Sequence, residues 1–151
     1  MREESIPSIH YDGDEIRAFF GKDLGFRQED RFRAVSVCAH LANKASDAGL
    51  NVVISALTVN EDAREHIKNN VPNLALTYLS CPIEICIQRD SRGLYRKARE
   101  GTVDPKTLIG LDSPYEPPID PDIVIDTSKN TLEQSIGIIK TWLKKDGHKN
   151  F

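Results

Sequence analysis

Apolar residues return every three or four positions across 28–48, at Phe32, Val35, Cys38, Ala39, Ala42 and Ala45. That is the spacing of one helix face, and Gly49 is placed to end the helix. The rule then changes. Residues 51–57, NVVISAL, are apolar almost throughout and rich in β-branched side chains, as expected of a buried strand. Shorter runs at 8–11, 74–79 and 122–125 predict three further strands. Residues 15–20, 60–69, 93–100 and 131–145 read as helices, the last with Leu132, Ile136, Ile139 and Leu143 along one face. Pro82 is placed to open another helix in its first turn. Residues 21–26 and the stretch 101–121, which holds five of the eight prolines, read as loop. Strands alternating with helices, several of the strands apolar throughout, predict an α/β three-layer sandwich around a parallel sheet. No repeat or linker divides the chain, so a single domain over 1–151 is expected.

Composition narrows the partners. With 39% apolar and 28% charged residues, the 151-residue chain suits a packed domain and not a disordered one. A net charge of −3, with acids and bases interspersed, leaves no basic footprint for nucleic acid. No apolar run approaches the ~20 residues of a membrane span. The N-terminus lacks the apolar stretch of a secretory signal, and a cytoplasmic location is the expectation. Cys38, Cys81 and Cys86 are odd in number and lack scaffold spacing, and His10, His40, His66 and His148 lie far apart. Structural or solvated roles are expected for all seven.

Asp12-Gly13-Asp14 stands where the first strand ends, the end at which open parallel sheets bind ligands. If the strand runs through the tripeptide, its two carboxylates share a face and can hold Mg²⁺ or keep one acid protonated. A plain Asp-Gly turn accounts for the same residues. Arg17, Arg31, Arg89, Arg92, Arg96, Lys97 and Arg99 fall near predicted element ends, where a guanidinium fork can grip polyphosphate or simply face water. The run RDSRGLYRKAREG is a basic helix set between a helix end and a proline-rich loop. A segment of that kind, over about 90–121, can close as a lid.

YDGDEIR, KDLGF, EDR, SDAGLNVVIS, RDSRGLYRKAREG, GLDSPYEPP and DIVIDT follow one another in that order. Together they resemble the adenylylsulfate kinase family, from about Tyr11 to the last helix. The resemblance implies a P-loop kinase fold. It also implies transfer of the γ-phosphoryl of ATP, with Mg²⁺, to the 3′-hydroxyl of adenylyl sulfate, the kinase step of sulfate activation. It implies Asp12 and Asp14 as base and anchor of Mg²⁺-bound water, with no direct metal ligand. Arg17 and Arg31 would hold the acceptor's phosphosulfate, Phe26 would stack on its adenine, and Leu57 and Thr58 would line the same pocket. Leu108 occupies the place of a second stacking aromatic, and Arg89, Arg92 and Lys97 are implied lid groups that neutralise phosphate. Nucleotides are the implied small-molecule partners and a homodimer the implied assembly.

Glu15, Ala34, Ser36, Val37 and Leu108 depart from the family's pattern, and 58–60 stands for a longer segment. These departures leave two other readings: a sister kinase for another nucleotide-linked acceptor in polysaccharide modification, and a non-catalytic nucleotide-binding relic. The 151 residues hold no G-x-x-x-x-G-K-S/T run, and Gly21-Lys22 is followed by Asp23. That loop supplies the backbone N–H cradle for the phosphates. It would precede residue 1 with its strand, so an N-terminally incomplete chain, inactive alone, is expected. The absent strand is the centre of the order 2-3-1-4-5, between the strands at 51–57 and 74–79. Those two are expected to pair directly, to borrow a strand from a partner, or to leave the chain marginally folded.

Overall fold

The computed structural model describes residues 6–145 apart from Asp112; His148 lies outside the described residues. The elements are β1 (Ser8–Asp12), α1 (Gly13–Phe20), α2 (Gln28–Asp47), β2 (Asn51–Ser55), α3 (Glu61–Asn70), β3 (Thr77–Ser80), α4 (Ile83–Arg89), α5 (Leu94–Arg99), β4 (Ile123–Asp126) and α6 (Leu132–Lys145). They fall into two compact units, one reaching Leu74 and one beginning at Ala75. Each unit has a parallel two-stranded sheet, β1 with β2 and β3 with β4. These are the neighbours that the order 2-3-1-4-5 requires on either side of its central strand. Among the described residues no pairing of β2 with β3, one of the expected outcomes, is present.

In the first unit Ser8 to Asp12 pair in register with Asn51 to Ser55. β2 stops two residues short of the expected run because its partner turns into α1 at Gly13, and the ladder has no further groups to bond. α2 packs against α1, α3 and β2. Its buried stripe is Ala34, Val35, Cys38, Ala39, Ala42 and Ala45, side chains small enough to bring neighbouring backbones close. Phe32, expected in that stripe, is 38% exposed. It sits at the edge and rests on the His66 ring, centroids 4.7 Å apart. Asn60 caps α3 by accepting Ala63 N–H at 3.1 Å.

In the second unit Thr77 to Ser80 pair with Ile123 to Asp126. β3 begins later than expected because the backbone N–H of Leu76 is taken by the Asp122 carboxylate at 2.6 Å. Ile123 and Ile125 are buried, and α6 packs against β4. The α/β class with parallel strands holds, and this pair is not fully covered: Leu79 is 59% exposed and Val124 58%. Nor is the apolar stripe of α6 buried along its length, since Leu132 and Ile136 stand exposed. No helix of the described residues is long and apolar enough to cross a membrane.

Candidate active site

Asp12 is both the last residue of β1 and the N-cap of α1, its Oδ1 accepting the Asp14 N–H at 2.7 Å. The chain becomes helical at Gly13, so Asp12 and Asp14 do not alternate along one strand face as the extended reading required. Asp12 instead closes the strand while Asp14 is exposed in the first helical turn. Gly13 sits in a tight spot: a Cβ there would lie 3.3 Å from both Ser55 O and Ala56 Cβ, so a side chain would push its neighbours by a few tenths of an ångström. β1 and β2 end at the same level, Asp12 opposite Ser55, which puts both carboxylates at the end of the sheet where parallel strands bind ligands.

α1 and the loop after it bring three predicted residues together. Arg17 donates from Nη1 to Gly25 O at 2.6 Å, and Arg31, on the first turns of α2, donates from Nε to Phe26 O at 2.9 Å. Both guanidinium groups lie against the Phe26 ring, with Cζ 5.3 Å and 5.6 Å from its centroid. Phe26 keeps 54% of its surface exposed. Burial, and then the charge of Arg17, lower the pKa of Arg31 from its ordinary value. Two like charges are thus held beside one half-exposed aromatic ring. Cys38 lies nearby in α2: burial pushes its thiol up, and both Arg17 and Asp12 act on it electrostatically.

Leu57 and Thr58 follow the end of β2, Leu57 half exposed and Thr58 partly buried. The position of Thr58 is set by Arg64, a residue the sequence reading passed over. Arg64 is 1% exposed, pairs through Nε with Glu61 Oε2 at 2.7 Å and donates from Nη1 to Thr58 O at 2.9 Å. The i,i+3 spacing of Glu61 and Arg64 on a helix was the available signal.

The second unit carries the other predicted residues. Arg89 ends α4 and donates from Nη2 to Thr127 O at 2.7 Å, tying the helix to the turn after β4. Asp90 then leaves the helix with φ at +20°, a strained value for a residue with a side chain. Its carboxylate accepts Tyr95 N–H at 3.1 Å and Arg96 N–H at 3.0 Å, which starts α5. Desolvation works to raise the Asp90 pKa, but the hydrogen bonds from Arg96, Tyr95 and Leu94 outweigh it and the net shift is downward. Arg92 and Lys97 are exposed on this turn and helix, and Leu108 is partly buried after the short 3₁₀ turn Pro105–Thr107. Arg89 is thus engaged in holding backbone, while Arg92 and Lys97 sit where a basic surface meets solvent.

Comparison with known proteins gives one family. The family model for adenylylsulphate kinase matches residues 1–126. The adenylyl-sulfate kinase of Rippkaea orientalis is 37% identical over 144 residues, 95% of this chain and 77% of its own. That of Oceanobacillus iheyensis is 35% identical over 139 residues, 91% of this chain and 69% of its own. Among solved structures, the Mycobacterium tuberculosis APS kinase in complex with AMPPNP and APS superposes with a TM-score of 0.86 at 26% identity, covering 94% of this chain and 83% of that one. A hexameric APS kinase from Thiobacillus denitrificans shares the fold at 14% identity, with a TM-score of 0.66, covering 97% of this chain and 24% of that one.

Proposed function

The chain belongs to the adenylylsulphate kinase family, and on that premise we propose that it takes adenylyl sulfate as acceptor, with Arg17, Phe26 and Arg31 as the binding cluster. The family's reaction is ATP-dependent phosphoryl transfer to an alcohol, here the 3′-hydroxyl of adenylyl sulfate, in sulfate activation. The observation that carries the acceptor assignment is the pair of guanidinium groups against one half-exposed ring. Such a cluster answers both halves of a nucleotide acid anhydride: the ring stacks on the base while the cations take the anionic groups.

Asp12 is the proposed base for the accepting hydroxyl. Its Oδ1 is fixed by the Asp14 N–H, which orients the carboxylate without neutralising it. Mg²⁺ would neutralise charge on the phosphates of ATP. Asp12 and Asp14 are proposed to anchor the ion through bound water, a role that rests on the family resemblance. Leu57 and Thr58 are proposed to line the acceptor pocket and Leu108 to stand at the place of a second stacking group. Residues 90–121, with Arg89 at their root and Arg92 and Lys97 as phosphate-facing cations, are proposed as the lid. A cytoplasmic location and a homodimer belong to the same reading and rest on family resemblance.

The 151 residues contain no phosphate-cradling loop, and phosphoryl transfer is mostly positioning and charge stabilisation. Coupled ADP release with adenylyl sulfate should therefore show no turnover by this chain alone, and robust turnover would overturn that account. The acceptor assignment is tested separately by calorimetric titration with adenylyl sulfate. Binding that is lost in Arg31→Met supports it; no binding, or binding unchanged in the variant, refutes it.

A further inference from the structure

Cys81 and Cys86 flank the start of α4. Cys81 precedes the N-cap Pro82, and Cys86 is the fourth residue of the helix, two positions that face each other across a first helical turn. The Pro82 carbonyl accepts both Ile85 N–H and Cys86 N–H at 3.1 Å, which brings the turn back over the entering chain. The two thiols lie close enough to act on each other electrostatically; burial first, and then that interaction, pushes the Cys86 thiol up. Both side chains are partly exposed, whereas Cys38 is buried in the other unit. Arg89, at the far end of the same helix, sets Nη1 3.9 Å from Cys81 Sγ while Nη2 holds Thr127 O. Two thiols at facing positions of one helical turn, reachable from solvent and with a fixed cation on one of them, are more than a small apolar staple needs.

We propose that Cys81 and Cys86 form an oxidation site that closes to a disulfide with hydrogen peroxide as oxidant. Cys81 is the attacking sulfur, because the guanidinium of Arg89 lies against the atom that carries negative charge in the attack. Its thiolate takes one peroxide oxygen; the O–O bond breaks and hydroxide leaves, to be protonated to water. The product is the Cys81 sulfenic acid. The Cys86 sulfur then attacks Cys81 Sγ, the S–O bond breaks, and a second water leaves with the thiol proton. In sum, two thiols and one peroxide give one disulfide and two waters. The bond would join the residue before the N-cap of α4 to the fourth residue of that helix, whose last residue is the arginine at the root of the proposed lid segment.

The test uses the full 151-residue chain, treated with peroxide, quenched with an alkylating agent and measured by intact mass. The expected result is one alkylated cysteine, Cys38 in the unfolded quench, and a loss of two hydrogens. Cleavage after Glu84, which separates the two cysteines, should leave peptides joined until reduced. Cys86→Ser should stop the reaction at a Cys81 sulfenic acid that dimedone captures. Arg89→Leu should slow closure about fivefold, the Coulomb factor for one charge near 4 Å in water. Three alkylated cysteines after treatment, chains cross-linked to one another, or dimedone capture at Cys86 in place of Cys81 would each overturn the proposal.

Discussion

Replacing Arg64 by alanine should cost the first unit more than any other single truncation outside the α2 stripe. The side chain is 1% exposed and makes two short bonds, 2.7 Å to the Glu61 carboxylate and 2.9 Å to the Thr58 carbonyl. Removing one partner of a buried ion pair costs about 3–5 kcal/mol, because the remaining charge loses that pairing. Glu61 is 21% exposed, so water regains part of its carboxylate and the lower end, about 3 kcal/mol, applies. Against a net stability of ~5–15 kcal/mol for a domain, that is a large fraction. Urea unfolding followed by far-UV circular dichroism measures it. The single tryptophan, Trp142, lies in α6 of the second unit and would report on the wrong part of the molecule. The double variant Glu61→Gln/Arg64→Met removes both charges and keeps the apolar volume, so it should recover most of the loss. A loss below about 1 kcal/mol for Arg64→Ala, or a double variant less stable than the single one, would refute the reasoning.

Three other outcomes follow from the site. Asp12→Asn keeps a capping side chain and should change stability by only a few tenths of a kcal/mol, whereas Asp12→Ala should cost ~1 kcal/mol; in a form with a functional phosphate loop, Asp12→Asn should still cut kcat more than it raises KM, and near-normal kcat would reduce the residue to a cap. Phe26→Ala should weaken adenylyl sulfate binding by ~1–3 kcal/mol, read by calorimetry, and an unchanged affinity would remove the ring from the binding cluster. Asp126 is held down from 3.8 to about 2, first by the Ser128 hydroxyl and then by Lys129. Its contribution is therefore complete above its ordinary pKa and is lost as pH falls through the folded one. Asp126→Asn should flatten the stability of the second unit over that acid window in a pH-dependent melt, and an unchanged acid limb would count against the pairing.

Much of this architecture was legible because local rules and tertiary contacts agree. The i,i+3/i+4 stripe of α2 and the β-branched run of β2 read correctly because small and branched side chains are used where burial demands them. Asp12-Gly13-Asp14 was legible as a site but not as a geometry, since an Asp-Gly pair serves equally as strand end, turn and helix cap. The exposures of Val124, Leu79 and Leu132 were not legible at all. Apolar alternation marks a face that can be buried, and whether anything covers it is a property of the whole assembly. Arg64 was missed for the opposite reason. A charged residue on a charged helix suggests a surface, and only the packing of α3 shows it enclosed.

The two parallel pairings also set the order in which the chain can fold. Neither is a hairpin: His10 meets Ser55 across 45 positions, and Leu76 meets Asp122 across 46. Loop-closure entropy grows only with the logarithm of such a separation, so the two sheets face nearly the same penalty and neither has an intrinsic head start. Contacts this distant in sequence also slow folding relative to a helical bundle of the same size. Synthesis breaks the tie. Every strand of the first unit has left the ribosome once Ser55 is out, while β3 waits for some forty further residues before β4 exists. In the nascent chain the pairing that carries the Asp12 end of the sheet can therefore form before the partner of β3 has been made.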